Sequence, residues 1–175
     1  MAVWIGLLRA VNVGGRKLPM SVLSEVVADL GGKDVRTYLQ SGNVVFSASA
    51  PVARRVSGAL SEAAGFDVPV LLRSSSDLAA VVAGQPLDGP ESCWHVTFLD
   101  AKPAAGAVAA VDPSAYGEDT FAVAGSHVYL RTPGGYGRTK LTNALFERKL
   151  GVVATTRNWR TVCALAEMAG ESPGR

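Results

Sequence analysis

Residues 132–140 read TPGGYGRTK, and these residue types in this order could hold an anion. The glycines let the backbone turn tightly and approach a ligand closely. Arg138, Thr139 and Lys140 then offer a guanidinium fork, a hydroxyl and an ammonium to a phosphate or carboxylate. A helix expected over residues 140–150 would add the free N–H groups and partial positive charge of its first turn. The segment is not a Walker A loop, which needs GxxxxGK followed by Ser or Thr. Nor is it GxGxxG, because Lys140 stands where the third glycine would be. The plainer alternative is a flexible strand-to-helix connection with exposed basic side chains.

Two other segments carry similar chemistry. Residues 155–160 read TTRNWR. A helix is expected over residues 157–169, with Trp159, Val162, Cys163 and Ala166 on one apolar stripe. Thr156, Arg157 and Asn158 at its start are candidates for capping or for meeting an anion. Trp159 is expected in the core. Residues 9–17 read RAVNVGGRK. Here Arg9, Arg16 and Lys17 supply charge, Asn12 supplies a donor and an acceptor, and glycines permit close approach. Taken alone, this segment reads as a polar loop leading to a helix.

No catalytic set is visible. Ser41, in the hairpin-like QSGN at 40–43, has no recognisable His–Asp partners. His95 and His127 are the only histidines. Cys93 and His95 would share one face of a strand, which alternating burial explains as well as chemistry does. No His, Cys, Asp or Glu cluster has metal-ligand spacing, so neither a metal nor another cofactor is expected.

Charge supports the basic segments. The formal net charge is only +2, but residues 138–160 hold six bases against Glu147, whereas residues 77–119 hold seven acids against Lys102. Such asymmetry suits an anionic partner, and it also suits two opposed solvated faces. With 48% hydrophobic and 18% charged residues the chain can build a core. No apolar run approaches the roughly 18 residues of a membrane span. The N-terminus lacks a basic start and a cleavage site, so it reads as a buried strand rather than a signal peptide. Cys93 and Cys163 read as buried free thiols. A soluble cytoplasmic protein without a membrane partner is expected.

The elements that must position these residues repeat an order. Residues 3–10 read as a strand. A helix opened by Pro19 and stopped by Gly31-Gly32 follows. Strands at 35–39 and 44–47, joined by Ser41-Gly42-Asn43, form a hairpin. A helix from Pro51 and a strand at 68–72 complete βαββαβ, a ferredoxin-like order. Residues 74–83 start with caps and read as a short helix, and 84–92 as a linker. A strand at 94–99, a weak helix at 103–111, a hairpin at 120–124 and 127–131, the glycine-rich loop and two helices then give βαββαα. The expected architecture is α+β, with two ferredoxin-like halves at 1–73 and 93–175 built on antiparallel or mixed sheets. The second half would end in two helices, without the final strand.

LLRAVNVGGRKLPM at 7–20, VRTYLQSGNVVF at 35–46 and GRTKLTNALFERKLGVVATTRNWRTV at 137–162 together resemble the bacterial family catalogued as domain of unknown function 1697. The resemblance runs over nearly the whole chain and is loosest over 74–119. It implies a two-part α+β fold of ferredoxin-like character. It brings no established activity, cofactor or catalytic residue.

Three functions compete. The best fit is a module binding an anionic ligand: a phosphorylated small molecule, a nucleotide or a nucleic acid. An enzyme would hold its substrate's anion with Arg138, Lys140 and Arg157 and orient it with Asn12, Ser41 or Asn43, but no general base or nucleophile stands out. A structural module would set the basic strip against an acidic protein surface, including that of a second copy. Only Tyr38 and Phe46 are aromatic in the first hairpin, which disfavours sequence-specific RNA reading on that sheet.

Overall fold

The computed structural model describes residues 1–170. The chain divides into two compact units: residues 1–82 with the chain from Ala164 onward, and residues 83–163. Each is a four-stranded antiparallel sheet with helices.

In the first unit the order is β1 (Ala2–Leu8), α1 (Met20–Asp29), β2 (Lys33–Thr37), β3 (Asn43–Ala48), α2 (Ala50–Ala64), β4 (Val70–Ser74) and α3 (Ser75–Ala83). The strands lie in the order β2-β3-β1-β4, the ferredoxin-like arrangement. The helices form where apolar residues recur at helical spacing. Leu23 and Val27 of α1, and Ala53, Val56 and Leu60 of α2, are buried and pack with Leu8, Val44 and Phe46 of the sheet. The β2–β3 turn depends on Gly42, at φ +90°, where a Cβ would come within 2.8 Å of the Leu8 and Val11 side chains.

The second unit runs β5 (Trp94–Leu99), α4 (Ala105–Ala109), β6 (Thr120–Ala124), β7 (His127–Arg131), α5 (Asn143–Leu150), β8 (Ala154–Asn158) and the start of α6 (Trp159–Gly170). Its strand order is β6-β7-β5-β8. The core gathers Leu99, Val128, Leu130, Leu141, Phe146, Leu150 and Ala154. The boundary between the units falls inside α6; within the first unit, Arg36 Nη2 donates to the Met168 carbonyl at 2.6 Å.

The α+β class and the two ferredoxin-like halves agree with the sequence expectation, and α5 and α6 are the last two helices. The details between them need correction. A strand, β8, lies between these helices, so the second half repeats the full βαββαβα order of the first. The expected helix from Arg157 starts instead at Trp159. Without β8 the backbone groups of β5 on that side would lose their ladder, and Thr155-Thr156 are β-branched residues suited to supply it. The helix expected from Lys140 begins at Asn143, because Thr142 is its cap: Thr142 Oγ1 accepts from the Leu145 N–H at 3.2 Å. The weak helix of the second half shortens to Ala105–Ala109. No described helix is long and apolar enough to cross a membrane.

Sheet register makes the halves equivalent position by position. Ile5 pairs with Val45 and Arg73, as Val96 pairs with Tyr129 and Arg157. Leu8 N–H donates to the Gly42 carbonyl and Leu99 N–H to the Ser126 carbonyl, each at 2.9 Å. Arg9 N–H donates to the Pro69 carbonyl and Asp100 N–H to the Val153 carbonyl. These pairs put Trp4 with His95, Gly6 with Thr97, Leu72 with Thr156 and Ser74 with Asn158.

Candidate functional site

The equivalent connections between third strand and second helix differ sharply. In the first unit Ser49 alone joins β3 to α2, a helix of 15 residues. In the second unit residues 132–142 join β7 to α5, a helix of 8. A glycine-rich loop stands where the first unit has the opening turns of a helix. Connections of this kind, on a rigid scaffold, are where binding residues concentrate.

The loop is fastened at both ends. Thr132 is buried and its N–H donates to the Cys93 carbonyl at 2.9 Å. Gly135, at φ +91°, donates to the Thr132 carbonyl at 3.0 Å. A 3-10 turn spans Tyr136–Arg138. Thr139 is buried; its hydroxyl donates to Asp119 Oδ2 at 2.6 Å and accepts from the Leu141 N–H at 3.1 Å. Leu141 then plunges into the core. Alternation along the chain leaves Arg138 and Lys140 exposed on either side of the anchored Thr139. Neither makes an ion pair among the described residues.

Tyr136 projects from the same turn and stacks on His95 of β5, with ring centroids 4.8 Å apart and planes 24° from parallel. Burial lowers the His95 pKa, with the Cys93 backbone opposing the shift. On the same face of β5 the Thr97 and Thr156 hydroxyls lie 2.7 Å apart, and Thr156 Oγ1 donates to Asn143 Oδ1 at 2.7 Å. A hydroxyl has one hydrogen, so Thr97 must be the donor to Thr156. The first unit has Trp4, Gly6 and Leu72 at these three places, and Trp4 and Leu72 pack against its apolar core. One location in the fold is apolar in one half and polar in the other.

Of the ten candidates raised by sequence, Arg9, Asn12, Arg16 and Lys17 belong to the first unit, and Arg138, Thr139, Lys140, Thr156, Arg157 and Asn158 to the second. Several are already occupied. Asn12, at φ +56°, donates through Nδ2 to the Leu18 and Gln40 carbonyls at 3.0 and 2.6 Å and accepts the Leu18 N–H at 2.9 Å. Its amide is a loop clamp. Arg16 lies 5.7 Å over the Phe66 ring, Lys17 is exposed, and Arg9 is half-buried beyond β1. Asn158 Oδ1 accepts the Thr161 N–H at 2.8 Å and so caps α6.

Arg157 corrects the expectation most. It sits in β8 rather than at a helix start, and it is buried. Its Nη1 donates to Thr155 Oγ1 at 2.8 Å and to the Thr156 carbonyl at 3.0 Å. Burial brings its pKa down to about 10, with nearby Tyr136 opposing the shift. Its twin, Arg73 in β4, is buried too and donates through Nη1 to the Leu72 carbonyl at 2.8 Å. Sequence reasoning missed Arg73. The signal was present: each arginine is followed by a cap three residues before its target, Ser74 Oγ accepting from Asp77 N–H and Asn158 accepting from Thr161 N–H. Tyr136 was missed as well, since between glycines it reads as part of a turn. Trp159 is buried as expected, edge-on to Trp94. Cys93 lies in the 3-10 turn before β5, so it does not share a strand face with His95. Among the described residues no three His, Cys, Asp or Glu side chains gather as metal ligands.

Two ferredoxin-like units of identical element order define the class of fold. Within that class, the chain belongs to the family described as "Protein of unknown function (DUF1697)", whose family model matches residues 1–129. The motif at 137–162 lies beyond the matched segment. Among solved structures, the chain is similar to the conserved bacterial protein SP0830 from Streptococcus pneumoniae, at 18% identity and a TM-score of 0.76, over 98% of this chain and 99% of that one. That likeness is one of fold. No curated protein matches.

Proposed function

We propose that the second unit binds a small phosphorylated or carboxylated anion on the loop at 132–140. The observation that carries this reading is the anchored Thr139 holding Arg138 and Lys140 exposed on a loop that replaces helix. Arg138 and Lys140 are like charges two residues apart, and an anion held by both offsets their mutual repulsion. Because Thr139 is fixed to Asp119 and Leu141, little backbone freedom is lost on binding. Thr142 Oγ1 already accepts the Leu145 N–H at the start of α5, so the reading rests on the side chains of the loop and not on the helix terminus.

Calorimetric titration with inorganic tripolyphosphate tests the reading. Binding should weaken as salt rises, and the Arg138→Ala/Lys140→Ala pair should lower affinity about tenfold or more. Absence of binding, or binding that the double substitution leaves unchanged, overturns it.

A further inference from the structure

Resting on that anion site, we infer that Tyr136 is a stacking platform, so that the anion arrives attached to a planar ring, as in a nucleotide. Tyr136 stands between Gly135 and Gly137. A Cβ built on Gly134, Gly135 or Gly137 would meet nothing within 4 Å beyond its chain neighbours, so the backbone on both sides of Tyr136 is open to a ligand. The ring is half-buried and packs in part against the core of the second unit, so it is the remaining exposed part that a ligand would meet. His95, 4.8 Å away at 24°, backs it and sets its plane. An oriented, backed ring accepts another flat π-system at small entropic cost, because its own rotamer is already fixed. Arg138, two residues along the same turn, is placed for the charge such a ring would carry. The first unit, with a one-residue connection at Ser49 and Trp4 in place of His95, has no counterpart of the loop or of the Tyr136 ring. Stacking ignores base identity, since every base has a π-face. The class is therefore nucleotides, without selection among bases.

The test compares adenosine triphosphate with inorganic tripolyphosphate on the whole protein. Wild type should bind the nucleotide about tenfold more tightly, the typical margin of one stacked base. Tyr136→Leu should erase that margin, so that the variant binds the two ligands equally, while Tyr136→Phe should keep it. Equal affinity for the two ligands in wild type overturns the stacking inference but leaves the anion reading standing. A margin that survives in Tyr136→Leu overturns the stacking inference in the same way. Failure of both ligands to bind overturns both. The wild-type comparison needs no variant, so it decides even if Tyr136→Leu does not fold.

Discussion

Arg73 and Arg157 occupy the same position in two copies of one fold. Each is buried on the last strand, each donates to the carbonyl of the residue before it, and each precedes a residue that caps the next helix. Elsewhere on the sheet the copies part. The first places Trp4 and Leu72 against an apolar core, with Gly6 between them; the second places His95 against Tyr136 of the glycine-rich loop, and Thr97 and Thr156 in a hydrogen-bonded row with Asn143 of α5. What the halves share is scaffold, and the shared buried arginine belongs to it. What only the second half has is the loop at 132–142 and the polar row of His95, Thr97 and Thr156, and the proposed anion site lies on that loop.

The shared part should break in matched pairs. The largest effects are expected at Phe46 and Leu130, which are equivalent and fully buried. Phe46→Ala should cost about 3–5 kcal/mol and Leu130→Ala about 2–5 kcal/mol in urea denaturation. A negligible loss at either one would mean that its sheet is not a packed core. Next come the arginines. Arg73→Ala and Arg157→Ala should each cost about 2–3 kcal/mol, from lost charge-assisted hydrogen bonds and lost packing of the stem. Losses differing severalfold would end the claim that the two play one role.

Smaller effects sharpen the comparison. Ser74→Ala and Asn158→Ala each remove an accepting cap and should cost about 1 kcal/mol; Gly at the same sites should restore most of it. The smallest effect is one of pH, and it belongs to the second half alone. His95 has a folded pKa below its ordinary 6.5 because burial disfavours the charged ring. The unfolded chain therefore takes up the proton first as pH falls, and stability should decline below about pH 6.5 toward the folded pKa. Above that window His95 contributes no slope. Thermal unfolding of wild type and His95→Gln between about pH 5 and 7.5 measures it: the variant should flatten the decline. Trp4, in the equivalent place, does not titrate.

Local patterns were legible where they were sufficient causes. The stripe of Leu23 and Val27, the stop at Gly31-Gly32 and the turn at Gly42 are readable from spacing and residue type. So is the hairpin of β6 and β7. Other features depend on partners distant in sequence. The amide of Asn12 is spent on Gln40, 28 residues away. Thr156 reads by composition as a helix cap, whereas its register against Thr97 makes it a strand residue bonded to Asn143. Lys140 and Asn143 are both plausible helix starts by composition, and the hydrogen bond that Thr142 Oγ1 accepts from the Leu145 N–H decides between them.

By itself the sequence determined the α+β class, the two ferredoxin-like halves, the family resemblance and the basic glycine-rich loop. These rest on periodicity, turn chemistry and motif, all properties of neighbouring residues. Only the tertiary structure decided that Arg157 is buried, that β8 completes the second sheet, and that Tyr136 lies on His95 beside two exposed cations. Those outcomes follow from strand register. A one-residue change of register moves every side chain to the opposite face of a sheet, and register is set by whole strands finding each other rather than by any short segment.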